Sequence, residues 1–300
     1  MSDLNVSNES VVAGAIELPR LERALFERRA LRSLILTTGT WIVAILASIP
    51  LFSVIYMLIL RGGARLDLEA LTALPPAGFE MGGGFGNAIV GTLTMVGIAT
   101  LISIPIGILA AAFLGELEPD CKLAQTVRFL AKVLTGMPSI LAGVFAYAVV
   151  VLWMGRYSAI AGGIALAVLM LPTVILTAEE AMKMVPKIMK DAAYGMGCTR
   201  SQVIWRVVLP TGLPGILTGV LLAVAGAAGE SAPLLFTALF SNYYLSSLAE
   251  PTASLSILIY NFSGMPFDNQ LELAWAASLV LVVIVLIFNI VARLFGQPKV

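Results

Sequence analysis

Histidine is absent from the 300 residues, and the two cysteines, Cys121 and Cys198, stand far apart without a CxxC or zinc-type spacing. Catalytic triads built on His, HExxH zinc sites, His-ligated haem and a disulfide framework are thereby excluded. Charge is equally scarce. Charged residues make up 12% of the chain and sum to zero, which leaves no basic tail or stripe for nucleic acid. No Gly-Lys pair occurs anywhere, so no phosphate-cradling P-loop can form, and no nucleotide or other cofactor is expected on this chain.

What is present is apolar: 59% of the residues. A soluble domain cannot bury that share while showing water so few charges. The expected fold class is therefore all-α, a polytopic membrane protein. Uncharged stretches run from Ser33 to Leu60, Met81 to Gly115, Val133 to Gly155, Tyr157 to Ala178 and Leu273 to Ala292, and Val207 to Ala249 is broken only by Glu230. About 20 apolar residues cross a bilayer. Six transmembrane helices are predicted over 36–60, 88–114, 133–153, 158–178, 213–239 and 273–293. Pro105, Pro138 and Pro172 are read as kinks within them. The first span is too long for the apolar part of a cleaved signal peptide.

Lys and Arg set the orientation. Five precede the first span, three lie in 116–132, five in 179–212 and two at the C-terminal end (Arg293 and Lys299), against Arg61, Arg65 and Arg156 on the other side. Both termini and the 179–212 loop are expected in the cytoplasm of a bacterial inner-membrane protein. The domains read as a cytoplasmic segment 1–35, a transmembrane domain 36–293 and a tail 294–300. Leu18 to Arg32 carries Leu21, Leu25 and Phe26 at helical spacing among alternating charges, an interfacial helix lying against membrane lipid.

The 179–212 loop has its own pattern. Ile188, Ala192 and Met196 recur every fourth residue, giving one apolar face of a short helix. Gly195 and Gly197 end it, Gly197 through a left-handed turn. Thr199-Arg200-Ser201-Gln202 has the form of a capping box opening a second helix, with Val203, Ile204, Val207 and Val208 on its apolar side. Leu209-Pro210 is expected to stop that helix. A helix–turn–helix outside the bilayer offers a surface to a partner, or simply packs on its own spans.

The order Asp191-Ala192-Ala193, Gly197, Val207, Leu209-Pro210 resembles the EAA loop of ABC-importer permeases, with Asp191 and Val207 as mild departures from Glu and Ile. The resemblance implies a type I (MetI-like) permease whose loop sits in a cleft of a separate ATPase, which would hold ATP and Mg. Gly86-Asn87-Ala88-Ile89-Val90-Gly91-Thr92, Met137-Pro138-Ser139-Ile140, Leu169-Met170-Leu171-Pro172, the Gly229–Phe236 run and Leu258-Ile259-Tyr260-Asn261 are similar to the PstA-type phosphate permeases, cyanobacterial members above all. That likeness implies phosphate import beside a homologous PstC-type permease, two copies of an ATP-binding subunit and a periplasmic phosphate-binding protein.

Relatives of this type carry an arginine three residues before Glu179 and four before Glu230, where this chain has Leu176 and Gly226. Glu179 and Glu230 are therefore expected to lack their cations, and Glu230 to take up a proton in a low-dielectric pathway. Glu230, Glu179, Ser231 and Thr177 are the candidate pathway residues. For Glu230 the plain alternative is a packing seam with Gly219, Ala223, Gly226 and Ala227. Two further readings stay open: a permease for another oxyanion, and a secondary transporter using Glu230 and Glu179, which inverted repeats would favour.

Overall fold

A computed structural model describes residues 28–295. Two compact units divide the chain, Met1–Ile55 and Tyr56–Val300. Among the described residues every regular element is helical: α1 (Leu31–Gly62), α2 (Leu68–Thr72), α3 (Gly86–Leu117), α4 (Lys122–Thr135), α5 (Ser139–Met154), α6 (Ala159–Lys183), α7 (Lys187–Gly195), α8 (Arg200–Gly229), α9 (Ala232–Leu235), α10 (Leu255–Ser263) and α11 (Asp268–Phe295). Five of them are long and apolar enough to cross a membrane, or six spans result if α4 and α5 count as one. The amphipathic segment expected over 18–32 lies mostly outside the described residues, as does most of the 294–300 tail.

The first, second, fourth and sixth spans form where expected and extend by several residues. The third does not form as one rod over 133–153. It is two helices, α4 and α5, bent by 110°. Pro138 explains the break, since it lacks an N–H and sits extended at ψ 130°, with Gly136 before it. Ahead of the break, α4 is amphipathic and buries only Ala124 and Ala131.

The fifth span departs most. It was expected over 213–239 behind a stop at Pro210; instead α8 starts at the capping box, runs through Pro210 and Pro214 and ends at Gly229. A wide π-type turn over Ile204–Val208 absorbs Pro210: Leu209 N–H bonds Ile204 O, one residue further back than in an α-helix. The ladder is re-phased just where proline cannot donate, so the helix passes through. Beyond Gly229, Glu230 turns extended (ψ 123°) and Pro233 opens the short α9. The 240–272 loop is not wholly irregular either, because it contains α10.

α3, α6 and α8 share the main core, with Met95, Leu166, Met170, Val174 and Ile216 all but fully buried. Small residues let these helices approach. A Cβ on Gly219 would run into Thr177, one on Gly215 would stand 2.8 Å from Ala181 Cβ, and one on Gly107 2.6 Å from Val174. A second cluster gathers Phe85, Leu255, Leu258 and Leu273 at the other end of the bundle. There, Leu255 N–H donates to Thr92 Oγ1 (2.8 Å) and Asn87 Nδ2 to Ser241 O (2.7 Å), which pins the long loop before α10 to α3.

Candidate functional site: the helical hairpin and the Glu230 cavity

The hairpin at 184–208 follows from its sequence. Pro186 precedes α7, Gly197 takes φ +85°, and Thr199 and Gln202 exchange both bonds of the capping box. Nothing crowds Gly197, so glycine is required there by backbone conformation rather than space. One side of the hairpin is core: Ala193, Val203, Ile204 and Val208 are buried. The other side is bare. Ile188 is 76% exposed and Met196 80%, with Met184 and Trp205 also exposed. Asp191 and Ala192 are exposed on α7, Val207 and Leu209 are half-buried, and Pro210 is exposed.

Ionic contacts tie this hairpin to its neighbours. Lys190 pairs with Glu116, both side chains largely shielded, and also reaches Met182 O. Arg200 donates to Leu117 O at 2.8 Å. Both contacts fasten the hairpin to the end of α3.

Beside them lies a buried carboxylate. Glu179 on α6 is 3% exposed. Arg128 on α4 donates to its Oε1 from Nε (2.9 Å) and Nη2 (2.7 Å), and Nη2 also donates to Leu114 O (3.1 Å). Lys183, one turn on, adds a third donor to the same oxygen. The expectation that Glu179 lacks a cation is thus wrong. Its partner comes from another helix, not from position 176, where Leu176 is half-buried. Glu179 is a structural staple joining α3, α4 and α6. Arg128 is the residue that sequence reasoning missed; it entered only as a charge to be counted, and no spacing rule links residues 51 positions apart.

Glu230 sits differently. At the end of α8 it lines a cavity of about 470 Å³ with Thr135, Ser139, Thr173, Leu222 and Gly226. Gly226 is exposed, and a Cβ there would meet nothing within 4 Å. Ala223 and Ala227 are buried yet line the cavity beside the exposed Gly226, whereas Gly215 and Gly219 pack on α6, so the small-residue face is divided along α8 between seam and cavity. Ser256 Oγ donates to Glu230 O and fixes its backbone. Thr177 and Ser231 are not brought to this cavity: Thr177 bonds back to Thr173 O and packs on Gly219, while Ser231 carries the carbonyl that accepts the N–H groups of Leu234 and Leu235. Thr173, one turn from Thr177, takes the lining position instead.

Residues 103–298 match the model of the binding-protein-dependent transport system inner membrane component. The chain is 38% identical over 274 residues to the phosphate transport system permease protein PstA of Pasteurella multocida, covering 91% of this chain and 98% of that one. It is 42% identical to PstA of Haemophilus influenzae, covering 82% and 87%. The chain belongs to this family, on its PstA-type branch. The permease also shares the fold of a solved bacterial alginate ABC transporter (TM-score 0.63, 19% identity, 92% of this chain and all of that one) and of the MetNI methionine ABC transporter (0.56, 19%, 71% and 93%). The all-α, MetI-like expectation holds.

Removing one member of a buried ion pair costs about 3–5 kcal/mol, and the 23% exposure of Arg128 places this pair toward the lower end. Arg128→Gln should lower the denaturation midpoint of the detergent-purified permease markedly. The double variant Arg128→Met/Glu179→Met should recover much of that loss, because the one charge left without its partner, Lys183, is half exposed. A double variant as unstable as the sum of the two single ones would show that the pair is not coupled.

Proposed function

We propose that this permease imports inorganic phosphate across the bacterial inner membrane, forming half of the pathway in an ATP-driven transporter. The observation that carries the reading is the near full-length similarity to PstA proteins. In this reading residues 36–293 are the transmembrane domain and 179–212 its coupling loop. Asp191, Ala192, Ala193, Gly197, Val207, Leu209 and Pro210 shape the contact with a separate ATPase, which holds ATP and Mg. The exposed Ile188 and Met196 support this, since an apolar face on a hairpin beyond the spans calls for a covering partner. A homologous PstC-type permease supplies the other wall of the pathway. Two ATPase copies and a periplasmic phosphate-binding protein complete the assembly.

The cavity at Glu230 supports a pathway position, and its lining offers no cation. The positive charge that a phosphate anion needs therefore comes from the partner wall. Thr135, Ser139 and Thr173 contribute neutral hydroxyls, which can donate to a passing oxyanion without holding it fast.

Reconstituted with its partners, the permease should take up phosphate only with ATP. Gly197→Val forces a branched side chain into φ +85°, so it should remove most ATP-dependent uptake while the chain still inserts. Normal uptake in that variant would rule out coupling through the hairpin.

The loop charges support cytoplasmic termini and a cytoplasmic hairpin. A cysteine placed at Asn242 should react with an impermeant thiol reagent in intact cells, and one at Arg200 should stay protected. The reverse pattern would invert the topology.

A further inference from the structure

At the end of the bundle opposite the hairpin, the last turn of α1 meets the first turns of α11. The approach is close: a Cβ on Gly62 would stand 2.6 Å from Trp275 O. The two helices bound a cavity of about 600 Å³. It is lined by the apolar Leu60, Ala64, Leu271 and Trp275 and by the charged Arg61, Arg65, Asp268 and Glu272.

The charges are unevenly satisfied. Arg65 pairs with Asp67 at 2.9 Å. Arg61, Asp268 and Glu272 stand within ion-pair distance of no opposite charge among the described residues. The Arg61 guanidinium lies 5.7 Å from the Trp275 ring centroid. Asp268 and Glu272 are one turn apart on α11, so they present two acceptors side by side.

Position narrows the ligand. Both helices are membrane spans by length and composition, and the cavity is at their ends. Tryptophan and arginine at span ends mark the headgroup level of a bilayer. Below Leu271 and Trp275, on the same helical face of α11, Val282 and Leu286 are exposed and apolar, a path for acyl chains.

We propose that this cavity binds the headgroup of a zwitterionic aminophospholipid. Arg61 takes the phosphate through its forked donors, and Asp268 and Glu272 take the primary ammonium. Two acidic acceptors disfavour an anionic headgroup. A choline headgroup has no N–H to give them. The inference rests on the membrane reading of α1 and α11 and is independent of what the transporter carries.

The test is lipid retention by the intact complex. It is reconstituted in vesicles of equal parts phosphatidylethanolamine, phosphatidylcholine and phosphatidylglycerol, extracted in mild detergent and weighed by native mass spectrometry. Phosphatidylethanolamine should be retained in preference to both others. Arg61→Gln should weaken its retention about tenfold, the loss of one charge-assisted contact, and Asp268→Asn/Glu272→Gln, which removes two, by at least as much, with ATP-dependent uptake as the control for folding. Equal retention of the three lipids, or unchanged retention in both variants, overturns the proposal. Displacement of the lipid by excess inorganic phosphate overturns it too, by showing a site for a soluble anion. Loss of stimulation by the periplasmic binding protein without loss of lipid would assign the charges to protein docking instead.

Discussion

One carboxylate oxygen holds the hairpin end of this bundle together. Glu179 Oε1 accepts from Arg128 twice and from Lys183 once, and Arg128 reaches on to the last turn of α3. A carboxylate this deep is affordable only if its charge is matched and its lone pairs are filled. The pair thereby dictates that α4 lies across α3 and α6. That in turn requires the break at Gly136-Met137-Pro138, because α4 cannot both reach Glu179 and continue straight into α5. The same end of α3 receives Lys190 and Arg200 from the hairpin. α3, α4, α6 and the hairpin are thereby tied together at one end by a layer of ionic contacts.

Above that layer the spans are held by shape. Gly107 admits Val174, and Gly215 and Gly219 admit Ala181 and Thr177. In a lipid environment association has no hydrophobic drive between helices and depends on such close packing. The α6–α8 contact is therefore set by two turns of small residues. Above it Gly226 leaves the seam and opens toward Glu230. Packing and cavity share one helix: Gly215 and Gly219 serve the contact with α6, and Ala223, Gly226 and Ala227 line the cavity.

Much of this was legible in the sequence. The spans follow from runs without charge, and the hairpin from Thr199 to Gln202 and the left-handed Gly197, because these depend on local rules. The misreadings have one origin. Pro210 signals a helix end locally, but the π-type turn before it lets α8 continue, and that turn has no sequence signature. Glu179 looks unpaired in the sequence because its own helix offers Leu176 where relatives have an arginine. Arg128 stands 51 residues away, and the fold alone brings it near. Likewise Thr173, not Thr177, lines the cavity, since Thr177 is taken up by the contact with Gly219.

The central claim is that the ionic layer makes the hairpin and the end of α3 move as one body. Spin labels at Ile188 and Asp120, with Cys121 and Cys198 replaced by serine, report the distance between the two in the assembled transporter. The account predicts one narrow distance, the same without nucleotide and with a bound ATP analogue, that broadens when Lys190 is replaced by Gln. A distance that shifts by several ångströms between the two nucleotide states, with Arg128 and Glu179 intact, would contradict it.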